Sequence, residues 1–152
     1  MSEQASVDSL VLVALINPLD LWHDQATKLR DALILAGFEL VYFDCVVAEA
    51  ISVASRRLRE KNRLGEVANL FARLDSVVPP GTITWVFPDV PRLFENVLDL
   101  MRATAGELNF NDALIAITCR ERGISVISSL DADFDKVAWL RRLAKAEDVP
   151  VT

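Results

Sequence analysis

The chain has 152 residues, 52 % of them hydrophobic, and a formal net charge of −6. That length suits one domain over residues 1–152 with a core of its own. The negative balance excludes a domain that grips nucleic acid by bulk electrostatics, but leaves room for an enzyme with a local basic strip and a bound cation. The apolar surplus predicts a covered surface, and a homodimer is the simplest cover, because monomers seldom leave large apolar patches in water. Cys45 and Cys119 have no CxxC spacing and no set of His partners. They predict buried free thiols and a reducing, cytoplasmic setting. The opening MSEQASVD lacks a basic segment and Asp8 interrupts the first apolar run, so no signal peptide is expected. No run approaches the ~20 apolar residues that a membrane-spanning helix needs.

In chain order, a short strand ending near Val7 precedes a helix from about Ser9 to Ile16. The pattern WHDQATKLRDALILA predicts a helix, closed by Gly37 and followed by the β-type run FELVYF. A helix starts near Asp44, and a basic helix runs through RLGEVANLFARLDSV to Pro79-Pro80-Gly81 and the run TITWVF. Another helix starts near Asp89. NDALIAITCRER then predicts a helix ended by Gly123, with ISVISS as the next strand and a further helix from Asp135. Glycine just past a helix accepts the left-handed conformation that ends it, and Arg120 and Arg122 suit the preceding last turn. Alternation of this kind gives an α/β fold with a central, mainly parallel sheet covered on both faces. Ligands of such sheets bind beyond the carboxyl ends of the strands. Asp8 and Asp131 fall at that edge.

Four acidic residues interrupt apolar runs: Asp8 in SVDSLVLVALI, Glu49 in DCVVAEAISVA, Asp112 in NFNDALIAIT and Asp131 in ISVISSLDADF. A carboxylate held out of water costs several kcal/mol unless compensated. If the fold gathers them, a hard divalent ion with oxygen ligands is the natural compensator. Each also has an ordinary structural reading. Glu49 has no basic residue within one helical turn, yet an exposed Glu on a helix is the usual fate of that residue. Asn109 is a good N-cap, so Asp112 sits at the third helical position, where a carboxylate is favoured anyway. Asp8 could cap the first helix. Asp131 could belong to a polar turn in which Asp135 caps the next helix. The four together, at strand ends and helix starts of one sheet, argue for a site.

VDSLVLVALINPLDLWHDQA resembles the opening of PIN-domain ribonucleases, DCVVAEAISV their second motif, and ELNFNDALIAITCRERGISVISSLDADFD their third and fourth. The resemblance spans nearly the whole chain in motif order, with a weaker likeness to the VapC-like toxin branch. It implies a PIN-like three-layer α/β/α sandwich. It also implies an endoribonuclease using Mg²⁺ or Mn²⁺ and held inactive by a cognate antitoxin. Asp8, Glu49, Asp112 and Asp131 match the family's acidic metal-site positions, and Asp133 an accessory acid of some members. Ser9 and Ser129 match its T/S positions, whose part is to orient a ligand or water rather than attack. Leu10 stands where the family often has a small polar residue, and the first strand is polar. Both features favour the rival reading, a catalytically weak or inactive PIN-like module that binds a partner.

The densest basic stretch, Arg56, Arg57, Arg59, Lys61 and Arg63, is read as a candidate RNA-contacting strip. The lone His23 is read as structural, and Trp22, Trp85 and Trp139 as core residues. No GxGxxG, Walker loop, GxSxG or HExxH is present.

Overall fold

A computed structural model describes residues 2–151. Five strands form one sheet in the order β3-β2-β1-β4-β5: β1 (Gln4–Val7), β2 (Glu39–Phe43), β3 (Ile83–Thr84), β4 (Val126–Ser128) and β5 (Arg141–Leu143). All four pairings are parallel, with Ser6 opposite Val41 on one side and Ile127 on the other. Parallel neighbours need crossovers, supplied up to β4 by α1 (Ser9–Ile16), α2 (His23–Leu35), α3 (Asp44–Glu60), α4 (Val67–Val77), α5 (Val90–Ala103) and α6 (Phe110–Arg122), and between β4 and β5 by a 3₁₀ turn. The result is the three-layer α/β/α sandwich with a central parallel sheet.

Helix α1 is apolar almost all round, and Val11 to Ile16 are each at most 5 % exposed. Such a helix belongs inside a fold. It packs against α2, α3 and α4, and each fully buried aliphatic side chain contributes about 1.5–3 kcal/mol. A second, smaller cluster joins Ala5, Leu29, Leu33, Val126, Leu143 and Val149, so α2 and the C-terminal segment cover the sheet there. The polar first strand is short but central: Ala5, Ser6 and Val7 are all buried. Glycine ends two helices as expected, with Gly37 at φ 90° and Gly123 at φ 70°.

Four expectations need correction. The basic helix is not continuous into RLGEVANLFARLDSV: α3 stops at Glu60, Asn62 takes φ 54°, and a 3₁₀ turn at Leu64–Glu66 leads into α4. The third β-type run keeps only Ile83–Thr84 as strand, and Gly81 lies in a 3₁₀ turn rather than closing a helix. No α-helix starts at Asp135, which sits in a 3₁₀ turn, Ala132–Lys136, and strand β5 comes next. Trp22 and Trp85 are not core residues, being 48 % and 62 % exposed. Trp139 is partly buried, its Nε1 donating to the Ala116 carbonyl at 2.7 Å. His23 is structural: Nδ1 donates to the Ala14 carbonyl at 2.7 Å. Both cysteines are buried free thiols, and burial pushes each up to about 12. Among the described residues no helix is long and apolar enough to cross a membrane.

Candidate metal-dependent active site

Asp8 stands at the joint between β1 and α1, with 2 % of its surface exposed. Its backbone N–H donates to the Ser128 carbonyl at 3.0 Å, fastening the joint to β4. The side chain caps α1, Oδ1 accepting from the Ser9 N–H at 2.8 Å, while Oδ2 accepts from the Ser129 hydroxyl at 2.7 Å. Burial raises Asp8 to about 6 despite both bonds, and the charges of Glu49 and Asp131 push the same way. Ser9 itself is buried and serves through its backbone N–H.

Asp112 occupies the third position of α6, its N–H donating to the N-cap oxygen of Asn109 at 2.9 Å. The macrodipole favours a charge there. Burial outweighs it and raises Asp112 to about 7, helped by Asp8, Asp131 and Glu49 in that order. Glu49 is partly buried on α3, and its Oε2 is fully buried with no hydrogen-bond partner among the described residues. Asp131, also partly buried, opens the turn after β4. Its side chain accepts from the Asp133 N–H at 2.9 Å, and its own N–H donates to the Ser129 hydroxyl at 3.0 Å.

Asp8 and Asp112 thus lie within electrostatic reach of each other and of both Glu49 and Asp131, four carboxylates from four separate segments at the carboxyl edge of the sheet. Asp133 does not join them. It pairs with Lys136 at 3.4 Å, and Lys136 also pairs with Glu107. Among the described residues no three His, Cys, Asp or Glu stand close enough to grip an ion as they are. Drawing them closer works against their mutual repulsion, which a bound cation would relieve. The set fits a hard divalent ion nonetheless: all donors are oxygen, and one buried carboxylate oxygen lacks a partner among the described residues.

Leu10 leaves Asp8 firmly held. It is 37 % exposed, and both bonds to the Asp8 carboxylate form beside it. On α3, Arg56 lies seven residues beyond Glu49 and so on the same face. Arg56 stands 3.8 Å from Glu60, and Arg57 is committed to Asp20 at 3.0 Å. Arg59, Lys61 and Arg63 are exposed, the last two in the turn after the helix.

The model of the PIN domain matches residues 5–140. The chain belongs to the PIN-domain family. A solved structure agrees in fold: the Mycobacterium tuberculosis toxin VapC20, described as cleaving the Sarcin-Ricin loop. It shares 21 % identity at a TM-score of 0.65, the match covering 88 % of this chain and 95 % of that one. No curated protein sequence matches.

The sequence singles out the acids of this PIN domain but hides two neighbours. Asp44 reads as a helix start only. It is a buried carboxylate whose Oδ1 accepts from the N–H groups of Cys45 and Val86, and whose Oδ2 accepts from that of Phe87, each at 2.9 Å. Arg142 carries no signal at all, because nothing in its local sequence shows that β5 lies against the Asp131 turn.

Proposed function

We propose that this PIN domain is a divalent-metal-dependent endoribonuclease that hydrolyses RNA phosphodiester bonds, and that it is the toxin of a toxin-antitoxin pair. The observation that carries the reading is a set of mutually repelling acids, two buried and two partly buried, with one orphaned oxygen, at the edge where α/β sheets bind ligands. A fold built only for stability has no use for such an arrangement. Asp8, Glu49, Asp112 and Asp131 hold the ion, Mg²⁺ or Mn²⁺. Bound there, it lowers the pKa of a water and stabilises charge on the phosphate oxygens.

The chain's own residues prepare that chemistry. Ser129 aims Asp8 through its hydroxyl proton and fixes the Asp131 backbone through its lone pair. Asp112, at about 7, is partly protonated near neutral pH and Asp8, at about 6, just below it, so a bound cation would displace protons from both as pH falls. Arg59, Lys61 and Arg63 supply positive charge that an acidic protein otherwise lacks toward RNA. The exposed Leu19, Leu21 and Trp22 before α2, and Phe71 on α4, support a surface covered by a cognate antitoxin or a second copy.

The test incubates purified protein with structured RNA in Mn²⁺, in Mg²⁺ and in chelator, beside Asp8→Asn and Asp112→Asn. Cutting in metal that both substitutions abolish is expected. No cutting under any condition, with the chain folded, overturns the ribonuclease reading.

A further inference from the structure

One side chain, Ser129, orients two acids of the site: its hydroxyl donates to Asp8 and accepts from the N–H of Asp131. Ser129 is fully buried at the start of the turn that leaves β4. Its own position depends on β5. The Ser129 N–H donates to the Leu143 carbonyl at 3.0 Å, and the Ser129 carbonyl accepts from Nη1 of Arg142 at 3.1 Å. The rest of the same guanidinium reaches the far end of the turn, Nε and Nη2 donating to the two oxygens of Asp135 at 3.0 and 3.1 Å. Asp131 and Asp133 lie between the two points that Arg142 holds.

We propose that Arg142 is a positioning residue for the carboxylate site, bracing from β5 the turn that carries Ser129 and Asp131. The inference rests on the ribonuclease reading above. A planar fork with fixed donors is what this job needs, because one group must satisfy a carbonyl and a carboxylate at set angles. The Arg142 side chain is only 18 % exposed, so its path is fixed by packing, whereas Asp135 is 57 % exposed. An ion pair with so exposed a partner contributes little stability. What it contributes is geometry. Arg142 also places a positive charge within reach of Asp131, easing repulsion in the cluster without entering it.

The test measures Mn²⁺ affinity by calorimetry, and kcat and KM on structured RNA, for Arg142→Met, Arg142→Lys and Asp135→Asn. Arg142→Met is expected to weaken Mn²⁺ binding about tenfold or more, the usual range for groups that orient metal ligands. Its kcat falls at fixed Mn²⁺, KM for RNA stays within about twofold, and added Mn²⁺ restores part of the rate. Arg142→Lys, which keeps charge without the fork, falls between native and Arg142→Met. The double variant with Asp135→Asn binds no more weakly than Arg142→Met, as members of one device behave. Native-like affinity and kcat in Arg142→Met, or a loss that only tracks unfolded protein, overturns the brace. Should Arg142→Met not fold, Asp135→Asn decides: it keeps the Ser129 bond and is expected to bind about threefold more weakly, and no change overturns the proposal. A native chain that neither binds Mn²⁺ nor cuts RNA defeats the ribonuclease reading alone. The brace is then judged by amide hydrogen exchange at Asp131 and Asp133, faster in Arg142→Met if it holds the turn and unchanged if it does not.

Discussion

Two carboxylates near the start of α3, Asp44 buried and Glu49 partly buried, are treated by the fold in opposite ways. Asp44 accepts three backbone N–H bonds and ties the loop at Val86–Phe87 to the helix. Glu49, five residues later, keeps Oε2 out of water with no partner among the described residues. Asp8, though bonded at both oxygens, and Asp112 are each held above the ordinary carboxylate range by burial and by neighbouring acids. A buried charge met by donors reads as a structural part, and one left without donors or crowded by other acids is a candidate for a counterion. Burial alone does not separate them; missing donors and crowding by other acids do.

The sharpest way to break this comparison is to remove Asp44. Asp44→Ala leaves the N–H groups of Val86 and Phe87 without their acceptor, so a stability loss of roughly 3–5 kcal/mol is expected in urea titration. Mn²⁺ affinity of the folded fraction should stay close to native. Equal damage to metal binding means that the two carboxylates are not functionally distinct.

The site acids should show the opposite sign through pH. Asp8 at about 6 and Asp112 at about 7 lie above the unfolded value of 3.8, so the folded state binds more protons between these limits. Stability without metal therefore falls as pH rises from about 4 to 8, by roughly 2–4 kcal/mol for the interacting pair, and levels off above. Saturating Mn²⁺, which binds the deprotonated acids, should offset that fall. Asp112→Asn removes part of the burden: a gain of about 1–3 kcal/mol at pH 8 without metal, vanishing near pH 4. A loss at pH 8 would place Asp112 among the structural carboxylates beside Asp44.

The acids are legible because each interrupts an apolar run, and the parallel sheet because helices and β-type runs alternate. What escapes a reading of the sequence is set by contacts distant along the chain. Asp44 looks like any acid at a helix start until Val86 and Phe87 arrive from the far side of α4. Asp135 has the sequence of a cap, yet its partner is Arg142 on a strand too short and too charged to announce itself. Trp85 misleads because its apolar run has the pattern of a full strand, whereas the strand ends at Thr84 and the ring faces solvent. The break after α3 depends on Asn62 adopting a left-handed conformation, which Asn tolerates but does not require.

The smallest effects belong to the other end of α3, where charge meets water rather than protein. Arg57 is engaged with Asp20, whose side chain is 8 % exposed, so Arg57→Ala should cost about 1 kcal/mol of stability and change RNA binding little. Arg59, Lys61 and Arg63 are exposed, and replacing any one by Ala should leave stability within about 0.5 kcal/mol. If they face phosphates, each replacement lowers the slope of log affinity against log salt by about 0.7 on single-stranded RNA. Binding should be measured in Ca²⁺ over a salt series, with Asp112→Asn as the background so that cleavage does not intervene. A slope unchanged in all three variants removes the strip from the RNA path, and leaves α3 with its function concentrated in the first two turns.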